Sequence, residues 1–145
     1  MADPDALSAR GLADGEALGP VLYLTEPLNA WGGLDPETGL LTHPQHPQNG
    51  SNVAATVLVL LETRGSGTNA QVLAETWRNG LGPAAVVLGR PDSVLMAGLI
   101  VARDLYDIHC PVAVLDPGSL ARLRDVPRAN VVVHGTTATI TLLTQ

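Results

Sequence analysis

The run Arg64-Gly65-Ser66-Gly67-Thr68-Asn69 sets a serine hydroxyl between two glycines and two residues after an arginine. Glycines there let the backbone take a positive φ and leave the hydroxyl uncovered. The run follows an apolar segment and precedes one with helical spacing. Amides at a helix start favour negative charge by about 0.3 to 1 kcal/mol. A serine so placed can bind an oxyanion, or be held as an alkoxide and act as a base, with Arg64 adding positive potential. Ser66 or Thr68 can equally cap the helix, and the residues alone leave both readings open. A Ser/His/Asp hydrolase is a third chemistry, with His43, His46, His109 and His134 available as bases. Against it, the turn reads RGSG rather than the G-x-S-x-G elbow, and nothing in the spacing selects one histidine.

A second chemistry-bearing stretch runs from Glu26 to Asn52, rich in Gly, Pro, Asn and His and without helical period. It holds Asn29-Ala30-Trp31-Gly32-Gly33-Leu34-Asp35 and then His43-Pro44-Gln45-His46-Pro47. An irregular segment this long in a small domain points to function. Two histidines three apart can share a metal, but a proline lies between them and no third ligand is evident. Read as structure, the same loop has Trp31 anchoring apolar contacts, Gly32-Gly33 turning the chain and His46 satisfying backbone carbonyls. Cys110 has no partner for a disulfide and cannot alone hold a thiolate metal centre, so it reads as a small buried apolar residue.

The elements that must position these residues alternate between strand and helix. Residues 21–25, 56–62, 84–88, 111–115, 130–133 and 139–143 read as strands, the last two joined by a turn at Gly135. The strand over 56–62 is apolar on both faces and therefore central in its sheet. Helical spacing covers 69–79, with Asn or Thr as its cap and Gly80 as its stop, and 94–105, capped by Asp92-Ser93. The second helix is apolar nearly all round and is expected to be well buried. One or two helical turns fit 118–124. The predicted organisation is a single α/β domain over 9–145 after a flexible start over 1–8.

Composition narrows the function. With 46% hydrophobic and 15% charged residues the chain can build a core. All 8 basic residues are arginine, against 14 acidic ones, for a net charge of −6. This balance excludes a phosphate-backbone binder, since such affinity comes from clustered Lys and Arg. Phenylalanine is absent and Trp31, Trp77, Tyr23 and Tyr106 are the only aromatics, so no base-stacking surface is expected. Asp3, Asp5 and Asp14 without an apolar run argue against a secretory signal, and no segment approaches the roughly 20 apolar residues of a membrane span. A soluble cytoplasmic protein is the expectation.

Taken together, Ala17–Leu22, Glu26–Gly39 (EPLNAWGGLDPETG), His46-Pro47, Arg64-Gly65-Ser66, Gly82–Ala85 and Gly98–Ala102 resemble the aconitase X swivel-domain family. The match runs in the family's order over nearly the whole chain. It is the WGG-D-P-x-T-G run followed by RGS that makes it specific. The resemblance implies a swivelling β/β/α fold like the mobile C-terminal domain of aconitase, docked on a large subunit that carries the iron or iron-sulfur centre. No cofactor is then expected on this chain alone. It further implies dehydration of a small hydroxy acid, of the cis-3-hydroxy-L-proline type ahead of mevalonate 5-phosphate. Ser66 matches the family's catalytic base, and Arg64, Gly65, Gly67, Thr68, Asn69, Trp31, Gly32, Gly33 and His46 fall at the implied substrate site. The chain departs from the family pattern at Gly67, at Asn29-Ala30, where Ser-Phe is common, and at His43, where an acidic residue is usual. The rival expectation is a non-catalytic, stand-alone swivel domain that oligomerises or binds a small carboxylate.

Overall fold

In a computed structural model, which describes residues 4–144, seven strands close into one barrel in the order β1-β5-β4-β3-β2-β6-β7. The strands are β1 (Ala6–Ala13), β2 (Gly15–Tyr23), β3 (Val57–Leu60), β4 (Ala85–Leu88), β5 (Val112–Val114), β6 (Arg128–His134) and β7 (Thr137–Leu143). Strands β2 to β5 run parallel, and β6, β7 and β1 complete the ring antiparallel. Helix α1 (Thr68–Arg78) crosses from β3 to β4 and α2 (Ser93–Tyr106) from β4 to β5. A third short helix, α3 (Pro117–Leu120), precedes β6.

Two cores follow from strand alternation. Val57, Val59, Ala85, Val87, Ala113, Val131 and Ile140 fill the barrel. Leu58, Leu60, Val86 and Leu88 point outward, against Leu73 and Trp77 of α1 and Leu95 and Leu99 of α2. The same outer core takes in Leu28, Ala30, Leu34, Leu41 and Val53, so the long loop between β2 and β3 is anchored on apolar side chains. Residues of β3 are at most 1% exposed, as expected for a central strand.

Four expectations need correction. Residues 6–8 are not a flexible start: they open β1, with Ala6 opposite Thr141 and Ser8 opposite Thr139, while residues 1–3 lie outside the described residues. The segment ALSARGLA has little strand propensity, and neighbouring strands impose its conformation. The first expected strand, 21–25, is the end of a longer one that begins at Gly15 and pairs with β6 over Gly15–Pro20. Helix α2 is buried on one face only, through Leu95, Gly98, Leu99 and Ala102, whereas Ile100, Val101, Leu105 and Tyr106 are exposed. Helix α1 has no Asn or Thr cap, because its N-cap is Gly67, which has no side chain to bond to the first amides.

Candidate functional site

The carboxyl ends of β2, β3 and β4 lie side by side, the region where parallel sheets of α/β proteins place their ligands. Beyond β2, Leu28 bridges Thr63 in parallel, with the Arg64 N–H donating to the Leu28 carbonyl at 2.8 Å. This stitch brings the long loop against the RGSG turn. Between them opens a cavity of about 360 Å³, bounded by Glu26–Asn29, His43, Gln45, His46 and Arg64.

Asn69 organises the junction. It is 1% exposed, its Oδ1 accepts the Trp31 N–H at 2.6 Å, and its Nδ2 donates to the Arg64 carbonyl at 2.8 Å. A carbonyl needs a donor and an amide an acceptor, so the two partners fix the orientation of the side-chain amide. Of the expected substrate contacts, Asn69 is therefore a buried tie between loop and turn. Gly65 makes room for it: with φ at 124° it holds a conformation L side chains rarely adopt, and a Cβ there would strike the Asn69 amide.

Ser66 is exposed. Its Oγ approaches only the hydroxyl and N–H of Thr68, each at the long distance of 3.4 Å. A hydrogen bond that long contributes little, so Ser66 is not an effective cap and its hydroxyl stays available at the helix start. Among the described residues no histidine is hydrogen-bonded to it, so no Ser/His/Asp relay is assembled here. Arg64 is exposed too, and its Nε lies 3.9 Å from a Glu62 carboxylate that Arg90 also meets at 3.5 Å. Both contacts are solvent-screened and leave the guanidinium free to turn toward the cavity.

The histidines behave as structure. Gln48 donates its N–H to His46 Nδ1 at 3.0 Å, which places the ring proton on Nε2, facing the Glu26 carbonyl at 3.2 Å. Both ring nitrogens are thus engaged, and His46 closes the cavity wall as the carbonyl-satisfying residue that the loop was expected to hold. His43 Nδ1 accepts the Gln45 N–H at 3.2 Å. Among the described residues no three His, Cys, Asp or Glu side chains come together around this pair. Cys110 is 3% exposed, and burial pushes its thiol up to about 12.

Trp31 departs from the anchoring role, since its side chain is 68% exposed and does not line the cavity. Gly32 (φ 77°) supplies the turn, and Gly33 packs against the Asn29 carbonyl where a side chain has no room. Of the other cavity residues, Glu26 and Gln45 carry no signal in the sequence beyond membership of the long loop, whereas Asn29 and His43 stand out there as departures from the family pattern.

Three comparisons bear on this arrangement. A family model described as the aconitase X swivel domain matches residues 6–142. A cis-3-hydroxy-L-proline dehydratase of Pseudomonas aeruginosa is 38% identical over 106 residues, which is 73% of this chain but only 18% of that protein. The phosphomevalonate dehydratase small subunit of Pyrococcus horikoshii is 30% identical over 81% of this chain and 87% of its own. The crystal structure of Thermococcus kodakaraensis aconitase X in its holo-form superposes with a TM-score of 0.76 at 23% identity, covering 94% of this chain and 98% of that one. No described helix is long and apolar enough to cross a membrane.

Proposed function

The chain belongs to the aconitase X swivel domain family, and from that premise we propose that it supplies the proton-abstracting half of a hydro-lyase completed by a large subunit. The observation that carries this reading is the Ser66 hydroxyl, exposed and without a strong partner at an uncapped helix start beside Arg64. Ser66 as an alkoxide takes the proton from the carbon next to the substrate carboxylate. The electron pair left behind forms the new double bond as the hydroxyl leaves the neighbouring carbon. A serine is too weak an acid to be ionised unaided, and the first amides of α1 with Arg64 favour the charged form by donating to it. Arg64 also lies where it can pair with the substrate carboxylate at the cavity wall.

The substrate favoured is a hydroxy acid of the cis-3-hydroxy-L-proline type, supported by the 38% identity to a dehydratase of that compound. Mevalonate 5-phosphate comes next. The iron or iron-sulfur centre that the family implies does not fit this chain, whose described residues form no ligand cluster and whose one cysteine is buried. It belongs with the large subunit, and the steps above do not pass through it.

The test is Ser66→Ala in the complex reconstituted with the large chain. Dehydration of cis-3-hydroxy-L-proline should fall by about 10²- to 10⁴-fold, the usual contribution of a positioned base. Exchange of the α-proton with deuterated solvent should fall with it. Full activity in the variant removes Ser66 from the mechanism.

A further inference from the structure

The candidate site ends at its solvent edge on a tryptophan. Trp31 is 68% exposed, whereas Trp77, the chain's other tryptophan, is 3% exposed and donates its indole N–H to the Pro83 carbonyl. The backbone beneath Trp31 is held on both sides. Its own N–H is bound by Asn69, the carbonyl of the fully buried Ala30 accepts from Gly33 and Leu34, and the Thr42 hydroxyl donates to the Gly32 carbonyl at 3.2 Å. A large aromatic side chain presented to water on a fixed backbone loses little freedom when a partner covers it. Tryptophan is also enriched among the few residues that dominate association energies.

This inference rests on the dehydratase reading above. We propose that Trp31 is the anchor by which the chain docks onto an aconitase X-type large subunit, and that Asn69 holds that anchor at a fixed offset from the Arg64–Thr68 turn. Docking then sets Ser66 at the mouth of the partner's half of the site. Two observations choose this occupant. The backbone that presents the exposed indole and the backbone of the exposed turn are joined through one buried side chain, so the two are held in fixed relation. A relative that this chain matches over 87% of its length is itself called a small subunit. The exposed stripe Ile100, Val101 and Leu105 on α2 is another apolar face, but no hydrogen bond among the described residues ties it to the turn.

The experiment measures association with the large chain from the same genome by titration calorimetry. Trp31→Ala should weaken binding by about 30-fold or more, the threshold expected of a dominant contact, and Trp31→Phe should recover part of it. Leu105→Ser should bind like the unmodified chain, and all three variants should unfold at the unmodified temperature. With 5-fluorotryptophan in this chain only, the Trp31 resonance should move on binding and that of Trp77 stay. Unchanged binding by Trp31→Ala, disruption by Leu105→Ser instead, or a Trp31→Ala complex that forms normally yet stays inactive each overturns the anchor. If the unmodified chain binds no such large chain, the dehydratase reading itself fails, and the anchor with it.

Discussion

Replacing Asn69 by alanine isolates the tie between loop and turn. The substitution removes an acceptor from the Trp31 N–H and a donor from the Arg64 carbonyl, bonds of 2.6 and 2.8 Å. Leaving a buried polar group unpaired costs about 1 to 3 kcal/mol. Asn69 itself is 1% exposed, but Trp31 and Arg64 lie at the solvent edge, where water can partly replace the lost partners. The lower half of the range therefore applies to each, for a total of about 2 to 4 kcal/mol. At roughly 2 to 4 °C per kcal/mol for a domain of this size, the thermal midpoint should fall by about 4 to 16 °C. Asn69→Asp should do no better: it keeps the acceptor for Trp31 but turns a carboxylate oxygen toward the Arg64 carbonyl. Urea unfolding followed by circular dichroism gives the free energy, and amide exchange gives its location. Exchange should accelerate at Trp31 and through 26–34 and 62–68 before it does so in the barrel strands. If Asn69→Ala changes stability by less than about 0.5 kcal/mol, the level of ordinary surface substitutions, and leaves those exchange rates alone, the side chain is not the tie described.

Other perturbations separate stability from chemistry. Ser66→Ala, inactive in the proposed complex, should leave the urea midpoint of the isolated chain unchanged, because its hydroxyl makes only 3.4 Å contacts. Asp92 is the reverse case: one carboxylate oxygen caps α2 through the amides of Val94 and Leu95, and the other accepts the N–H and hydroxyl of Thr63. Asp92→Ala should cost about 3 kcal/mol in urea unfolding, with Asp92→Asn close behind because its amide would set a donor against the Thr63 N–H. Cys110 should be unreactive toward a thiol reagent at pH 8 until the protein is unfolded. Its folded pKa, about 12, stands above the ordinary 9.0 because burial disfavours the thiolate. The stability that this thiol carries is therefore whole below about pH 9 and lost as pH rises from there toward 12, and Cys110→Ala should flatten that alkaline decline.

Much of the fold was legible because its central strands are continuous apolar runs and its helices carry clear stops. Val57–Leu60 and Ala85–Leu88 had to be buried on both faces, and Asp92 announced α2. Strand β1 was not legible. Gly11 and Ala13 weaken any local preference, and its conformation depends on the distant β5 and β7; a Cβ on Gly11 would meet the Gly135 carbonyl, a contact no local pattern reveals. In the site, the type and spacing of Arg64, Gly65 and Ser66 pointed to the turn. The role of Asn69 was hidden because one of its two partners, Trp31, lies 38 residues upstream in sequence, where no local pattern reaches. Trp31 misled for a related reason: a tryptophan among glycines reads as a core anchor, and only the packing of Ala30 and Leu34 beneath it shows that the core is already filled without it.

The closure of the sheet by β1 against β7 sets how this body can be handled by another chain. A closed ring of seven strands gives every strand a neighbour on each side, so no whole edge is free to take an added strand and a neighbour must grip chiefly side chains. Such a grip can be released without unzipping any ladder. The barrel also resists shear, because sliding one strand would break register with the next all the way round. In the proposed complex, motion against the large subunit is then pivoting of a stiff unit, with the loop and turn carried along at fixed separation, and opening or shutting the site requires no deformation of this chain's wall of it.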